Sequence, residues 1–263
     1  GGERGYKVVW EPLLKGKFHD WHDKVSMAWL WARIHTRGSS KDKDGKERLG
    51  YLRGGFGQMV ERLAEEITEA GGKINTGEKV EEKELIKRYG TVISTRPGKG
   101  IDYLGAITMV FCSRQRLSKY YWHNINELGA PFLALIEHTN FVDKKDYGGK
   151  EIYYLGTYAP HDHRYFKMTD DEIEKEWFDY LKTMFKDFSR EMVGRSFIFR
   201  FKYAQHVVGT DYQRRLSGEK EKEDIHRLNF SQIFPEDRGM NYAVAKAEEL
   251  AKRIIEKEKS STD

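Results

Sequence analysis

The C-terminal stretch places the strongest constraint on the fold, because a proline and two acids lead through a glycine into a clear helical pattern. Its apolar residues recur every three or four positions and share one face: Met240, Ala243, Val244, Ala247, Leu250, Ala251, Ile254 and Ile255. Asp237 is suited to the N-cap, since its carboxylate accepts from free N–H groups of the first turn. Gly239 lacks a Cβ, so another molecule can approach those groups. The stretch predicts either a site for phosphate or an electron-rich ring edge, or an ordinary capped terminal helix.

Composition narrows the class of protein. A chain of 263 residues buries a core as one large domain or two small ones. Lys and Arg total 46 against 42 Asp and Glu, and the signs are mixed along the chain, so we expect no nucleic-acid partner. The single cysteine, Cys112, lies in an apolar run and is typical of a reducing compartment. No apolar run spans a bilayer and no signal-peptide pattern opens the chain, so we expect no membrane partner and a cytoplasmic location.

The first third of the chain has helix patterns and a glycine-rich turn. Residues 23–37 predict a helix that is apolar on more than one face, which favours burial or a cleft. Glycines at 54, 55 and 57 open a second amphipathic helix, which Gly71 and Gly72 stop. Short strands are predicted at 73–76 and 79–81, and a buried β-branched strand at 91–95.

The rest of the chain favours strands. Strand patterns cover 104–112, 131–136, 151–158 and 196–203, and the last one alternates aromatic with other residues as a half-buried strand does. Thr169 and Glu172 form a capping-box pattern before a helix with an apolar face. We therefore expect an α+β fold with a mostly antiparallel sheet flanked by helices.

Three stretches together resemble the flavin-dependent amine oxidase and protoporphyrinogen oxidase superfamily, including its UDP-galactopyranose-mutase-like branch. They are residues 51–80, with a glycine pair, an amphipathic helix and Gly-Gly, the run Val-Ile-Ser-Thr-Arg-Pro at 92–97, and Glu-Asp-Arg-Gly-Met-Asn at 236–241. Residues 10–37 and 137–140 also resemble this group. The resemblance covers nearly the whole chain, and the order and spacing of the stretches make it more specific than any one of them.

The resemblance implies FAD as cofactor and a small molecule as substrate. Val80 would meet the adenine side of FAD, and Thr95 and Pro97 would lie at a turn near the cofactor. The helix start would lie against the flavin or its ribityl chain through Asp237, Arg238, Gly239, Met240 and Asn241. The protein orients the substrate while the flavin supplies the chemistry, and the substrate-binding candidates are Trp122, Asn124, His138, Tyr158 and Tyr203.

The sequence departs from the family in one respect, because G-x-G-x-x-G after an N-terminal strand is absent. We therefore expect the chain to match the latter part of such an enzyme, with an incomplete FAD-binding subdomain and weak or absent FAD binding by this chain alone. The expected divisions are 1–48 as a helical part of the substrate domain, 49–97 as a partial FAD-binding subdomain, 98–224 as the substrate-binding domain, and 225–263 as a FAD-contacting helix.

Each substrate candidate also has a structural interpretation. His138 beside Glu137 is more often a hydrogen-bonded partner than a base, and Tyr158 and Tyr203 suit a core or a rim. His161 and His163 lack a clear third ligand, so no metal site is predicted. No catalytic residue stands out.

Two functions stay open. One is the substrate-binding and partial FAD-binding portion of a flavin-dependent oxidoreductase. The other is a non-catalytic ligand-binding or complementation subunit that keeps the substrate-domain scaffold and pairs with a separate dinucleotide-binding chain. Edges left uncovered by a missing unit also predict a homo-oligomer or poor solubility.

Overall fold

The computed structural model describes residues 2–39, 43–46, 50–127, 129–218 and 225–260. The chain divides into two units, Gly1–Val25 with Asp102–Gly209 and Ser26–Ile101 with Thr210–Asp263. The helices are α1 (Gly2–Gly5), α2 (Glu11–Phe18), α3 (Met27–Ser39), α4 (Gly57–Glu69), α5 (Glu82–Arg88), α6 (Asp170–Met184), α7 (Tyr212–Gly218) and α8 (Met240–Ser260). The strands are β1 (Val92–Ser94), β2 (Tyr103–Ser113), β3 (Trp122–Asn124), β4 (Ala134–Glu137), β5 (Glu151–Ala159), β6 (Val193–His206) and β7 (Ile225–Arg227).

The first unit contains a five-stranded sheet in the order β3-β4-β5-β2-β6, and every neighbouring pair is antiparallel. The strand patterns predicted at 104–112, 131–136, 151–158 and 196–203 correspond to β2, β4, β5 and β6. The prediction of an α+β fold with a mostly antiparallel sheet is therefore confirmed.

Helix α6 covers one face of this sheet. Thr169 accepts from the backbone N–H of Glu172 while the Glu172 carboxylate accepts from the backbone N–H of Thr169, so the predicted capping box is confirmed. From that start the apolar stripe of the helix packs on the alternate inward residues of the strands. The resulting core contains Ile107, Met109, Phe111, Leu135, Tyr153, Leu155, Ile173, Trp177, Phe178 and Leu181. One face of the sheet is thus buried, and the residues between these positions point the other way.

The second unit is built around a short parallel pair, β1 with β7, and helices α3, α4, α5, α7 and α8. Glu82 at the start of α5 fixes both strands, because its carboxylate accepts from Ser94 Oγ at 2.6 Å and from Arg227 Nη2 at 3.0 Å. The hydrogen bond from Ser94 and the ion pair with Arg227 lower the pKa of Glu82. This contact joins residues that lie far apart in the sequence.

Three local predictions are wrong. The helix predicted at 23–37 is α3, and it begins at Met27 instead of Asp23. The Ser26 hydroxyl accepts from the backbone N–H of Ala28 at 3.3 Å, which favours a helix start at this point. Its faces also differ: Trp29 is buried, whereas Trp31 is 62% exposed. Residues 73–76 and 79–81 form no strand within the described parts of the chain, because no neighbouring strand pairs with them.

The third correction concerns the N-terminus of α8. The carbonyl of Gly239 accepts from the backbone N–H of Ala243 at 3.0 Å, so Gly239 occupies the N-cap position that the sequence assigned to Asp237. The Asp237 carboxylate instead pairs with the guanidinium of Arg33 on α3. The competing cation explains why this acid does not start the helix.

None of the helices in the described ranges is long and apolar enough to cross a membrane.

Candidate functional site

The face of the five-stranded sheet opposite α6, called here the open face, is the candidate site. Strand register and the alternation of side chains define it. Its members are Ala106, Thr108, Val110 and Cys112 on β2, Trp122 and Asn124 on β3, Ala134 and Ile136 on β4, Ile152, Tyr154, Gly156 and Tyr158 on β5, and Phe197, Phe199 and Phe201 on β6. None of these residues carries a charge, but Arg195 continues the outward series of β6 and the Lys17 ammonium stands over the Tyr158 ring.

The two edges of the open face are aromatic and exposed. Phe197, Phe199 and Phe201 are 54%, 45% and 55% exposed on β6, and Trp122 is 50% exposed on β3. The rings of Phe199 and Phe201 are stacked, with centroids 6.4 Å apart and planes inclined by 15°. The sequence predicts that β6 has two different faces, but the structure shows that the aromatic one is turned outward.

A row of small side chains crosses the middle of the open face. Thr108, Gly156 and Ala134 lie opposite one another on β2, β5 and β4. The row ends at Phe199 on one side and Asn124 on the other. Along β5, Tyr154 and Tyr158 flank Gly156. Aromatic rings thus border a stretch of small side chains on this face.

The structure places Trp122, Asn124 and Tyr158, three of the five predicted substrate-binding residues, on this face. The indole Nε1 of Trp122 donates to Asn124 Oδ1 at 2.8 Å, so the two side chains are held together. Lys17 lies 5.9 Å from the ring centre of Tyr158, and His19 Nε2 lies 2.7 Å from the carbonyl oxygen of Tyr158. The segment that contains α2 thus borders the Tyr158 end of the face.

Tyr203 is the fourth candidate and follows Phe201 beyond a β-bulge in β6. It is 51% exposed, and its ring meets Tyr103 and His161 edge to face, with centroid distances of 5.5 and 5.4 Å. Tyr203 therefore belongs to an aromatic cluster at the end of the sheet and not to its central row.

His138, the fifth candidate, is buried directly after β4. Its Nε2 lies 2.8 Å from the Tyr147 hydroxyl, and its ring packs against the edge of Tyr154 at a centroid distance of 5.8 Å. Burial lowers the pKa of His138, so the imidazole is held neutral near pH 7. The ring contact between His138 and Tyr154 supports the position of Tyr154 on the open face.

Glu137 is a structurally important residue that the sequence reasoning missed. It points away from the open face, is fully buried, and accepts from the backbone N–H groups of Leu117 at 2.8 Å and Ser118 at 2.9 Å. It also accepts from Tyr153 at 2.7 Å and from the hydroxyl of Ser118 at 2.9 Å. The same hydroxyl lies 3.0 Å from His123 Nε2. Glu137 and His123 both contact the Ser118 hydroxyl, whereas in a catalytic triad the imidazole lies between the acid and the hydroxyl. These contacts therefore anchor the loop that contains Ser118.

Three of the predicted cofactor residues lie together in the second unit. The carbonyl of Val80 accepts from the guanidinium of Arg96, which stands between Thr95 and Pro97 after β1. Asn229 Nδ2 donates to the Arg96 carbonyl at 3.1 Å and ties this turn to the segment after β7. The structure therefore brings Val80 next to the turn that the resemblance assigns to the cofactor.

The other five cofactor candidates, Asp237, Arg238, Gly239, Met240 and Asn241, lie at the start of α8. The space beside Gly239 is taken by its neighbour, since a Cβ there would lie 2.7 Å from Asn241 Oδ1. Met240 is 48% exposed. In this structure the Asn241 carboxamide therefore occupies the approach to the helix N-terminus over Gly239.

Two solved structures share this fold. A reduced UDP-galactopyranose mutase aligns with 82% of this chain and 56% of its own, with a TM-score of 0.59 and 13% identity. A protein assigned as a protoporphyrinogen oxidase from Exiguobacterium sp. 255-15 aligns with 59% of this chain and 35% of its own, with a TM-score of 0.50 and 11% identity.

The chain thus spans about half the length of one neighbour and about a third of the other. No protein-family model matches this chain, and no curated protein matches it. Both neighbours carry names from the group that the sequence resembles, so the likeness in fold that the resemblance implies is confirmed over the aligned residues. At these identities the likeness shows the fold alone.

Proposed function

We propose that this chain is the substrate-binding and partial FAD-binding portion of a flavin-dependent oxidoreductase of the amine-oxidase-like group. The observation that carries the proposal is the ring-bordered open face, on which Trp122, Asn124 and Tyr158 lie. It belongs to a fold shared with a protoporphyrinogen oxidase and a UDP-galactopyranose mutase. In such enzymes the flavin supplies hydride chemistry, while the protein binds and orients the substrate and excludes water.

The residues at the α8 N-terminus and at the Val80 turn suit FAD in their chemistry. The first-turn N–H groups of α8 and the positive helix end favour phosphate oxygens or the oxygen-bearing edge of a flavin, and Arg238 adds a cation beside them. The exposed side chain of Val80 offers an apolar contact for a purine. These residues would hold FAD, and the open face would hold the substrate.

The test is an absorbance spectrum of the purified protein before and after FAD is added and removed by desalting. We expect retained flavin bands and a melting temperature that rises with FAD concentration, because a ligand of the native state stabilises it. Gly239→Leu should weaken the retention by filling the approach to the α8 N-terminus. The matched control Ala247→Leu, two turns further along the same exposed helix, should retain flavin as the wild type does. A protein without flavin bands and with an unchanged melting temperature contradicts the proposal.

A second candidate function, a complementation subunit, is favoured by the exposed apolar face of α4. Val60, Leu63 and Ile67 are 63%, 56% and 47% exposed and lie one turn apart on one side of the helix. Val80 and Ile74, in the segment after α4 that forms no strand, are 42% and 49% exposed. A separate chain with a dinucleotide-binding unit would cover this face and offer strands to that segment.

Association of this kind is tested by light scattering at rising protein concentration, with and without a G-x-G-x-x-G chain from the same source. Leu63→Glu should abolish this association, whereas Glu61→Gln on the same helix should leave it intact. A wild-type protein that stays a monodisperse monomer under both conditions contradicts the complementation hypothesis.

A further inference from the structure

We infer that two copies of this chain pair along the outer edge of β6, in an antiparallel register whose two-fold axis passes between the two Phe199 residues. The surface consists of the backbone on the free side of β6 and the rings of Phe197, Phe199 and Phe201, and is called here the β6 edge. The inference stands apart from the proposed function, because it needs neither flavin nor substrate.

The β6 edge offers backbone groups that another strand can bind. The sheet ends at β6, and no strand in the described ranges lies beyond it. The carbonyl oxygen of Phe201 faces β2, since it would lie only 2.8 Å from a Cβ on Gly105. Backbone groups alternate in direction along an antiparallel strand, so Phe199 also bonds to β2, whereas the N–H and C=O groups of Ile198 and Arg200 point to the free side.

The side chains of the β6 edge match their own copy. With the axis at Phe199, this ring lies opposite its counterpart, and Phe197 lies opposite Phe201 of the second copy. Residues opposite one another in this way share no backbone hydrogen bond, and such pairs bring their side chains closer together than the hydrogen-bonded pairs do. Every phenylalanine of the edge therefore gains an aromatic neighbour across the interface.

Charge distinguishes this register from the adjacent ones. Charged side chains commonly keep edge strands apart, and an axis at Arg200 would place its guanidinium against its own copy. An axis at Ile198 would leave Phe201 opposite Arg195. With the axis at Phe199, Arg200 lies opposite Ile198, and its charge is already bound by an acid at the start of α6.

The area available sets the strength of the pair. Phe197, Phe199 and Phe201 are each about half exposed. Because an enclosed aromatic side chain buries about 150–250 Å², the six rings of two copies offer roughly 450–750 Å². Stable interfaces bury about 1,200 Å² or more, so we expect a reversible dimer that forms at micromolar concentrations.

Sedimentation velocity of the full chain, with no flavin added, measures the association across about two decades of concentration. We expect a monomer that converts to a dimer. Phe199→Glu places two acids at the axis and should raise the dissociation constant by at least about tenfold. Tyr120→Glu changes an exposed aromatic residue of the same unit that lies outside β6, and should leave the constant unchanged. A monomer at every concentration, or a dimer that Leu63→Glu dissociates and Phe199→Glu does not, overturns the inference.

Cross-linking tests the register in a Cys112→Ser background. Opposite residues in a pair without backbone bonds have Cα atoms about 4.5 Å apart, within the range of a disulfide. Phe199→Cys should therefore form a covalent dimer under mild oxidation at least about ten times faster than Phe201→Cys, which has no copy of itself opposite. Phe197→Cys and Phe201→Cys, when mixed, should cross-link to each other. Equal rates for Phe199→Cys and Phe201→Cys alone overturn the register.

The outcomes are independent of the oxidoreductase proposal, because flavin retention is measured on its own. A protein that retains flavin but stays monomeric overturns the β6 pairing alone. A dimer with the expected cross-links and no retained flavin contradicts the oxidoreductase proposal and supports the pairing.

Discussion

Glu137 offers the sharpest test of the packing described above, because a fully buried carboxylate holds one loop against the sheet. Replacing it with alanine removes the acceptor for the N–H groups of Leu117 and Ser118 and for two hydroxyls. The hydroxyls keep other partners: Ser118 Oγ lies 3.0 Å from His123 Nε2, and Tyr153 lies 2.8 Å from the carbonyl of Gln115. The N–H groups therefore bear most of the loss.

The magnitude follows from those partners. Leu117 N–H keeps a weaker bond to the Tyr153 hydroxyl at 3.1 Å, whereas the contacts of Ser118 N–H shown here are all with Glu137. These N–H groups belong to partly buried residues; a donor left without a partner costs about 1–3 kcal/mol, and each lost bond to a charged group about as much again. We expect Glu137→Ala to lower the free energy of unfolding by about 3–5 kcal/mol, a large share of the total for a domain of ordinary stability.

Two milder variants grade the effect. Glu137→Gln keeps one acceptor oxygen and should cost about 1–2 kcal/mol, and Tyr153→Phe, which removes one of the donors, should cost about the same. Urea unfolding followed by circular dichroism measures all three free energies. A loss below about 1 kcal/mol for Glu137→Ala, or equal losses for Ala and Gln, would refute the assignment of Glu137 as the acceptor of this network.

Three further predictions concern protonation, a partly buried ion pair and a helix cap. Burial lowers the pKa of His138 below its ordinary 6.5, so the unfolded chain binds more protons than the folded chain. The free energy of unfolding should therefore fall as pH drops from about 6.5 toward the lowered pKa. Urea unfolding at several pH values measures this slope, and His138→Gln should flatten it. Arg227→Met leaves the Glu82 carboxylate without its cation and should cost about 1–2 kcal/mol at pH 7. Because the pKa of Glu82 is lowered, that deficit should shrink as pH falls below about 4.5, and a constant deficit would contradict it. Thr169→Ala removes one half of the capping box and should cost about 1 kcal/mol in thermal unfolding, whereas Thr183→Ala at the far end of the helix should not.

The helices were predictable because their signals are local. In α4 the opening glycines, the apolar spacing and the stop at Gly71 all act within a few residues, and Gly71 has the positive φ of 85° that such a stop requires. The capping box before α6 is local in the same sense. At Asp237 the local signal failed because a distant group, Arg33, competes for the carboxylate.

The short strands after α4 failed for a non-local reason. Residues 73–81 contain Ile74, Thr76 and Val80, but a strand forms only where another strand offers its backbone groups. The equally short β1 succeeds because β7 pairs with it across more than a hundred residues of sequence. The residues also differ, because β1 lies in the β-branched run at 91–95 whereas residues 73–81 are mostly charged residues, Asn and Gly.

Strand alternation could have predicted the burial of Glu137. Leu135 and Glu137 are two positions apart in one strand, so an inward Leu135 implies an inward acid, and a buried acid requires donors. His138 follows directly after β4 and packs against Tyr154 of the open face, whereas Glu137 points toward the core.

The outward position of the β6 aromatic side chains is set by the partners on the opposite side of the strand. Toward α6, the guanidinium of Arg200 binds Asp170 and the carbonyls of Tyr165 and Met168 at 3.0 and 2.9 Å, and Ser196 donates to Glu174. A register shift by one residue would expose these satisfied polar groups and press phenylalanine rings against two acids. The register is therefore fixed by polar contacts, and the apolar rings are left on the surface as a consequence.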